Sequence, residues 1–208
     1  MATILPPPVV AIILGGGRSS RMGTDKLGLH LDGRSLLQRA CDAVAPHATR
    51  IVVAGPERPD VVGDGVEFVV EDPPFGGPVA GIVAALAALP DDGGTAFLLA
   101  GDLADPDAVV SALVEHAPLL GGRDAVVLED ADGWPQFLAG LYRTEALQLA
   151  ASRLESVRDV SVRRLLAGLD PARVPAPPRV LADIDTPEDA RTRGATAPSP
   201  FGKPNSAK

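Results

Sequence analysis

Six consecutive apolar residues, Val9-Val10-Ala11-Ile12-Ile13-Leu14, run directly into three glycines, and this junction narrows the possible folds more than any other stretch. An unbroken apolar run with a β-branched bias suits a strand covered on both faces, as in the parallel sheets of α/β proteins. Gly15, Gly16 and Gly17 then end the strand without Cβ atoms, so the backbone can bring its N–H groups close to a ligand. Arg18, Arg21 and Lys26 add positive charge to the same segment. A cationic glycine loop leaving a buried strand is what a triphosphate requires. The three glycines alone are equally compatible with a surface turn, and their spacing fits neither Gly-x-Gly-x-x-Gly nor a loop ending in Gly-Lys-Ser/Thr.

The chain has 208 residues, enough for one domain with a sizeable core, expected over residues 1–193. Pro, Ser, Ala and Gly dominate from Gly194 onward, so residues 194–208 are expected to be a disordered tail. A net charge of −8 argues against nucleic acid as the main partner, and an aromatic content of 3% argues against a base-stacking surface. No apolar run has the length of a membrane span and the N-terminus carries no signal-like pattern, so a cytoplasmic protein without membrane attachment is expected. Cys41 is the only cysteine and falls at helical spacing with Leu36, Leu37, Ala40 and Val44, as a core residue would. His30, His47 and His116 lie in no nucleophilic or zinc-binding pattern.

In chain order, residues 27–32 read as a short extension with a turn at Asp32-Gly33, and residues 35–45 as a helix closed by Pro46. Strands are expected at 50–54 and 66–70, then a loop containing Asp72 and Gly76-Gly77-Pro78, then a helix over 79–89. The strand 96–100 delivers Gly101-Asp102, and Asp105 before Pro106 caps a helix over 106–116. That leaves Asp102 without a structural role, at a position where a carboxylate can hold Mg²⁺ beside phosphate. Residues 124–128 and 135–142 form a hairpin that interrupts the α/β alternation, with Trp134 and Tyr142 either packed or ligand-facing. Thr144 reads as the cap of a helix through 154. Val162, Leu165, Leu166 and Leu169 mark another helix with Arg163 and Arg164 on its polar side, and a last strand ends at residues 183–185 before a helix starting at Thr186-Pro187. The fold class is therefore three-layer α/β/α, a Rossmann-like, mainly parallel sheet with a late hairpin. Its loops 14–26, 71–79, 101–102 and 183–185 should converge at the strand carboxyl ends.

The string from Leu14 to Lys26 resembles the signature Leu-Ala-Gly-Gly-x-Ser-x-Arg-Met-Gly-x-Asp-Lys of the molybdopterin (molybdenum cofactor) guanylyltransferase family. Leu14, Gly16, Gly17, Ser19, Arg21, Met22, Gly23, Asp25 and Lys26 match, and Gly15 stands where Ala is usual. Asp72 with Gly77-Pro78-Val79-Ala80-Gly81 is similar to the family's Asp…Gly-Pro-Leu-Ala-Gly element. Gly101-Asp102-Leu103-Ala104 replaces its Cys-Asp-Met/Thr-Pro, and Asp183-x-Asp185 replaces its Asn-x-Asn, a change that resembles the related cytidylyltransferases.

The resemblance implies the fold of nucleotide-diphospho-sugar transferases and transfer of GMP from Mg-GTP to the terminal phosphate of molybdopterin or the molybdenum cofactor, with release of pyrophosphate. It implies catalytic roles for Arg21, Lys26 and Asp102. Nucleotide contacts would come from Leu14, Gly15, Gly16, Gly17, Ser19, Lys26, Asp72, Gly77 and Asp102. Mg²⁺ would bind at Asp102, with Asp185 as a second candidate, and Gln136, Arg163, Arg164 and Asp183 are candidates toward the acceptor. Transient contact with other molybdenum cofactor biosynthesis enzymes would follow. Gly16 favours guanine whereas Asp183 and Asp185 pull toward CTP. A nucleotidyltransferase acting on another phosphorylated acceptor such as a sugar phosphate, and a non-catalytic nucleotide-binding regulatory module, are the alternatives.

Overall fold

The apolar run that opens the chain becomes an inner strand of a seven-stranded sheet. The computed structural model describes residues 5–16, 25–72, 76–89, 93–181, 184 and 187–196. Strand β1 (Val9–Leu14) lies parallel to and between β4 (Arg50–Ala54) and β6 (Thr95–Ala100). With β5 (Val66–Val69), β7 (Ala125–Glu129), β8 (Pro135–Arg143) and β9 (Pro171–Pro175), the order is β5-β4-β1-β6-β8-β7-β9. Only β8 runs antiparallel to its neighbours. A two-stranded ribbon of β2 (His30–Leu31) and β3 (Arg34–Ser35) turns at Asp32-Gly33, as expected.

Alternation along β1 explains why all of it is apolar. Val9, Ala11 and Ile13 point to the layer of α1 (Leu36–Val44) and α3 (Pro106–His116). Val10 and Ile12 point to the layer of α2 (Pro78–Ala88), α4 (Thr144–Ser152) and α5 (Val162–Leu165). Helix starts follow local chemistry: the Ser35 hydroxyl accepts from the Gln38 N–H, and an Asp105 carboxylate oxygen accepts from the Ala108 N–H at 3.2 Å. Pro78 and Pro106 occupy first-turn positions. Cys41 is buried in the α1–α3 layer, where burial first and the Asp42 carboxylate second push its thiol from 9.0 up to about 12.

The second half departs from expectation. Thr144 is the first helical residue of α4 and not its cap, because β8 runs straight into the helix at Arg143. The Thr144 hydroxyl is buried without a hydrogen-bond partner among the described residues. The helix through Leu165 is a single turn that breaks before Leu169. No strand occupies Arg179, Val180 and Leu181; the strand missing from the sequence reading is β9, whose Pro171 and Pro175 argue against a strand unless it lies at a sheet edge, as it does. The tail expected from Gly194 begins with three placed residues, and Thr196 exchanges backbone hydrogen bonds with His30 at 2.7 and 2.8 Å. Residues 197–208 lie outside the described residues.

Candidate active site

Three adjacent parallel strands, β4, β1 and β6, each end in a glycine at the same level. The sheet's hydrogen bonding continues through them: Gly15 N–H donates to Ala54 O (3.0 Å), Gly55 N–H to Val69 O (2.8 Å) and Gly101 N–H to Leu14 O (3.1 Å). Gly55 is forced by close approach, since a Cβ there would sit 2.5 Å from the Gly15 carbonyl oxygen and 2.9 Å from the Gly16 nitrogen. A Cβ on Gly15 would lie 2.4 Å from Val53 Cγ1, so Val53 fills the space an alanine would use and accounts for that departure from the family string. The result is a level floor of main chain at the carboxyl ends of the strands.

Lys26 and Asp102 meet above this floor. Lys26 belongs to a short 3₁₀ turn, Lys26–Gly28, and Asp102 follows β6; Nζ and Oδ2 are 2.5 Å apart, with side chains 12% and 25% exposed. The family string and the lone strand-end carboxylate, 76 positions apart in sequence, are thus in direct contact. A single half-buried carboxylate suits Mg²⁺, which is commonly held by one or two protein carboxylates together with phosphate oxygens and water. Among the described residues no group of three or more His, Cys, Asp or Glu side chains clusters as a metal site.

The turn that presents Lys26 is clamped from outside by a residue that the sequence reading missed. Arg58, in the connection after β4, bonds Asp25 Oδ2 at 2.6 Å and lies 3.3 Å from Asp60 Oδ1. This pair covers Gly28 so closely that a Cβ would meet the Arg58 guanidinium at 2.7 Å and the Asp25 carboxylate at 2.8 Å. Burial alone would raise the Asp60 carboxyl, but hydrogen bonding to Ser35 and the Arg58 charge outweigh it and hold Asp60 below its ordinary value. Burial works against the Arg58 charge as well, and Asp25 and Asp60 overcome it. No motif announces Arg58, because its partner Asp25 lies 33 positions earlier.

Asp72 is exposed beyond β5, and Gly77 caps α2 with φ 91, so both stand at the strand carboxyl ends on the β5 side. Gly17, Ser19, Arg21, Asp183 and Asp185 lie outside the described residues. Between the last two, Ile184 is described: it is fully buried and its N–H donates to the Asp102 carbonyl at 3.5 Å.

On the β8 side, a bulge sets Val127 opposite Gly140 but Leu128 opposite Gln136. The Tyr142 hydroxyl donates to the Phe137 carbonyl at 2.8 Å and pins the bulge; the ring is buried over Gly140, so Tyr142 packs and does not face ligand. Burial also raises its hydroxyl above its ordinary value. A cleft of about 250 Å³ opens here, with Gln136, Phe137, Val162 and Leu181 on one side and Ala100 and Leu103, which flank Asp102, on the other. Gln136 Nε2 donates to Asp130 Oδ2 at 2.7 Å, and Asp130 also accepts from the Trp134 N–H, closing the hairpin turn. Arg163 lies over the exposed Trp134 ring, 5.4 Å from its centre, whereas Arg164 lines a different cavity on the flank of α4 and α5. The two arginines, adjacent in sequence, therefore diverge. No described helix is long and apolar enough to cross a membrane.

Comparison with known proteins agrees with this architecture. A probable molybdenum cofactor guanylyltransferase from Nostoc sp. (strain PCC 7120) is 33% identical over 189 residues, covering 87% of this chain and 88% of that one. A molybdenum cofactor guanylyltransferase from Rhizobium meliloti is 45% identical over 82 residues, and this match spans only 37% of that relative's length and 38% of this chain. The crystal structure of molybdopterin-guanine dinucleotide biosynthesis protein A from Archaeoglobus fulgidus shares the fold at 22% identity, with a TM-score of 0.63 over 89% of this chain and 96% of that one. The model of the MobA-like NTP transferase domain matches residues 11–174, from Ala11 within β1 to Val174 within β9, and the chain belongs to that family.

Proposed function

We propose that the protein transfers GMP from GTP to the terminal phosphate of molybdopterin or its molybdenum-loaded form, releasing pyrophosphate. The observation that carries the reading is the Lys26–Asp102 pair set over a main-chain floor in a chain of the MobA-like family. Relatives named guanylyltransferases support the choice of GTP and of the acceptor.

In this reading the floor of Gly15, Gly16 and Gly55 receives the flat part of the nucleotide, because it offers main chain and no side-chain bulk. Lys26 leaves Asp102 for the triphosphate and neutralises the charge that builds on the departing pyrophosphate, as Arg21 would from the same loop. Asp102, released, would hold a divalent cation, and Mg²⁺ bound there would supply charge neutralisation for the phosphates. An acceptor phosphate oxygen forms the new bond to the α-phosphorus while the bond to the bridging oxygen of pyrophosphate breaks. The acceptor needs no general base, since a phosphate monoester is largely ionised at neutral pH. Its body would occupy the cleft at Gln136, Phe137 and Val162, which opens beside Asp102.

Pyrophosphate release with Mg²⁺ and molybdopterin, offering GTP, CTP and ATP in turn, tests the reading. Release with GTP at least tenfold above the others is expected. Preference for CTP would make Asp183 and Asp185 better guides to the base than Gly16, and no release with any nucleotide would overturn the acceptor.

A further inference from the structure

A cavity of about 550 Å³ opens on the flank of α4 and α5, and apart from Arg164 none of its lining belongs to the site described above. Its floor is apolar, formed by Ala150, Leu154, Val160, Leu165 and Leu169 of the α2–α4–α5 layer. Around it stand Arg153, Arg158 and Arg164, together with the carboxylates of Glu155 and Asp159. Among the described residues Arg153 and Arg164 make no ion pair, and Arg158 has only a loose one, with Nε 3.9 Å from Asp159 Oδ2. Arg153 reaches from the end of α4 toward the turn after α5, its guanidinium 3.8 Å from the point a Cβ on Gly168 would occupy. Three guanidinium groups against two carboxylates leave the rim with a net positive charge, and planar guanidinium forks suit phosphate oxygens.

We propose that this cavity is a second ligand site, which takes a small phosphomonoester with an apolar or aromatic body. The apolar floor holds the body and the arginines hold the phosphate, so the size and chemistry match a compact organic phosphate better than a free inorganic ion. The loop 155–160 that forms one wall also reaches the nucleotide side. Asp159, with φ 56, donates its N–H to the Gly76 carbonyl at 3.0 Å, next to the Gly77 cap of α2. Occupancy of the cavity therefore steadies the entry to α2.

Phenyl phosphate, titrated calorimetrically into the full chain, is a direct probe, with inorganic phosphate as the comparison. Binding to the unaltered protein and to Lys26→Met should be equal, and at least tenfold weaker in Arg153→Gln/Arg158→Gln. Gly168→Leu, which fills the cavity without changing charge, should weaken it similarly, and thermal melts of each variant verify folding. Bound probe should slow exchange of the Asp159 amide by tenfold or more. Absence of binding, inorganic phosphate binding as tightly as phenyl phosphate, or binding that is lost with Lys26→Met and kept in the cavity variants would each overturn the proposal. Binding with unchanged Asp159 exchange would overturn its link to α2.

Discussion

The strands β5-β4-β1-β6 and the strands β8-β7-β9 make one sheet by two different means. The first group is wholly parallel, three of its four strands end in glycines, and it offers a ligand mostly main chain. The second is built round the antiparallel β8, bulges at Phe137, Leu138 and Ala139, and offers side chains: Gln136, Phe137, Trp134 and Arg163. The difference has a physical reason. A flat nucleotide needs a surface clear of side chains, whereas the outline of an acceptor can be matched only by side-chain shape. On the parallel half, then, loss of function should follow from adding atoms or removing a charge; on the bulged half, from removing atoms.

The sharpest break in the comparison is Asp102→Ala, at the seam between the halves. Turnover should fall by about 10²–10³-fold, the cost of deleting one electrostatic stabiliser, with the melting temperature little changed. Near-normal turnover in the folded variant would remove Asp102 from the chemistry. Gly55→Ala adds one methyl against the Gly15 carbonyl and should destabilise the fold by about 2 kcal/mol in a denaturant titration. An unchanged midpoint would mean the floor can yield.

Cys41 tests the core beneath the parallel half. Its thiol pKa rises from 9.0 to about 12 on folding, so the folded state keeps a proton that the unfolded chain gives up. This contribution is whole below pH 9 and drains away at about 1.4 kcal/mol per pH unit as the pH climbs. Urea midpoints between pH 9 and 12 should fall less steeply for Cys41→Ala than for the parent protein, and parallel slopes would refute the assignment. Smaller still, Arg58→Met should raise the nucleotide KM about fivefold through misplacement of the Lys26 turn, with kcat held and partial recovery in Arg58→Lys, an effect of about 1 kcal/mol. On the bulged half, Gln136→Ala should raise only the acceptor KM, about threefold, as loss of a modest hydrogen bond predicts. A matching change in nucleotide KM would erase the distinction between the halves.

The same division governs what could be read from sequence. Strands 9–14, 50–54 and 66–70, the cap at Asp105 and the burial of Cys41 are dictated by residues close together in the chain, and they were legible. So was the approach of Lys26 to Asp102, because α/β topology sends both to one edge of the sheet. Arg58 was not, since its partner Asp25 is remote in sequence and a lone arginine in a loop carries no signal. β9 was hidden by its prolines, which an edge strand tolerates, and the Thr144 cap failed because no connecting residue separates β8 from α4. Gly55 carries no motif beyond following the strand 50–54, and only the spacing of neighbouring backbones reveals that nothing larger fits.

That floor has a consequence for adaptation. A surface of main-chain atoms has no rotamers to freeze when a ligand arrives, and its amides are held in place beforehand by their neighbours in the ladder. It is equally unable to be retuned, because substitution can obstruct it but cannot give it a new donor or acceptor. On the proposed reading, any drift in nucleotide preference would therefore be written on the rim, at positions such as Asp72, while new acceptors would be accommodated by exchanging side chains across the bulged half with the sheet left as it is.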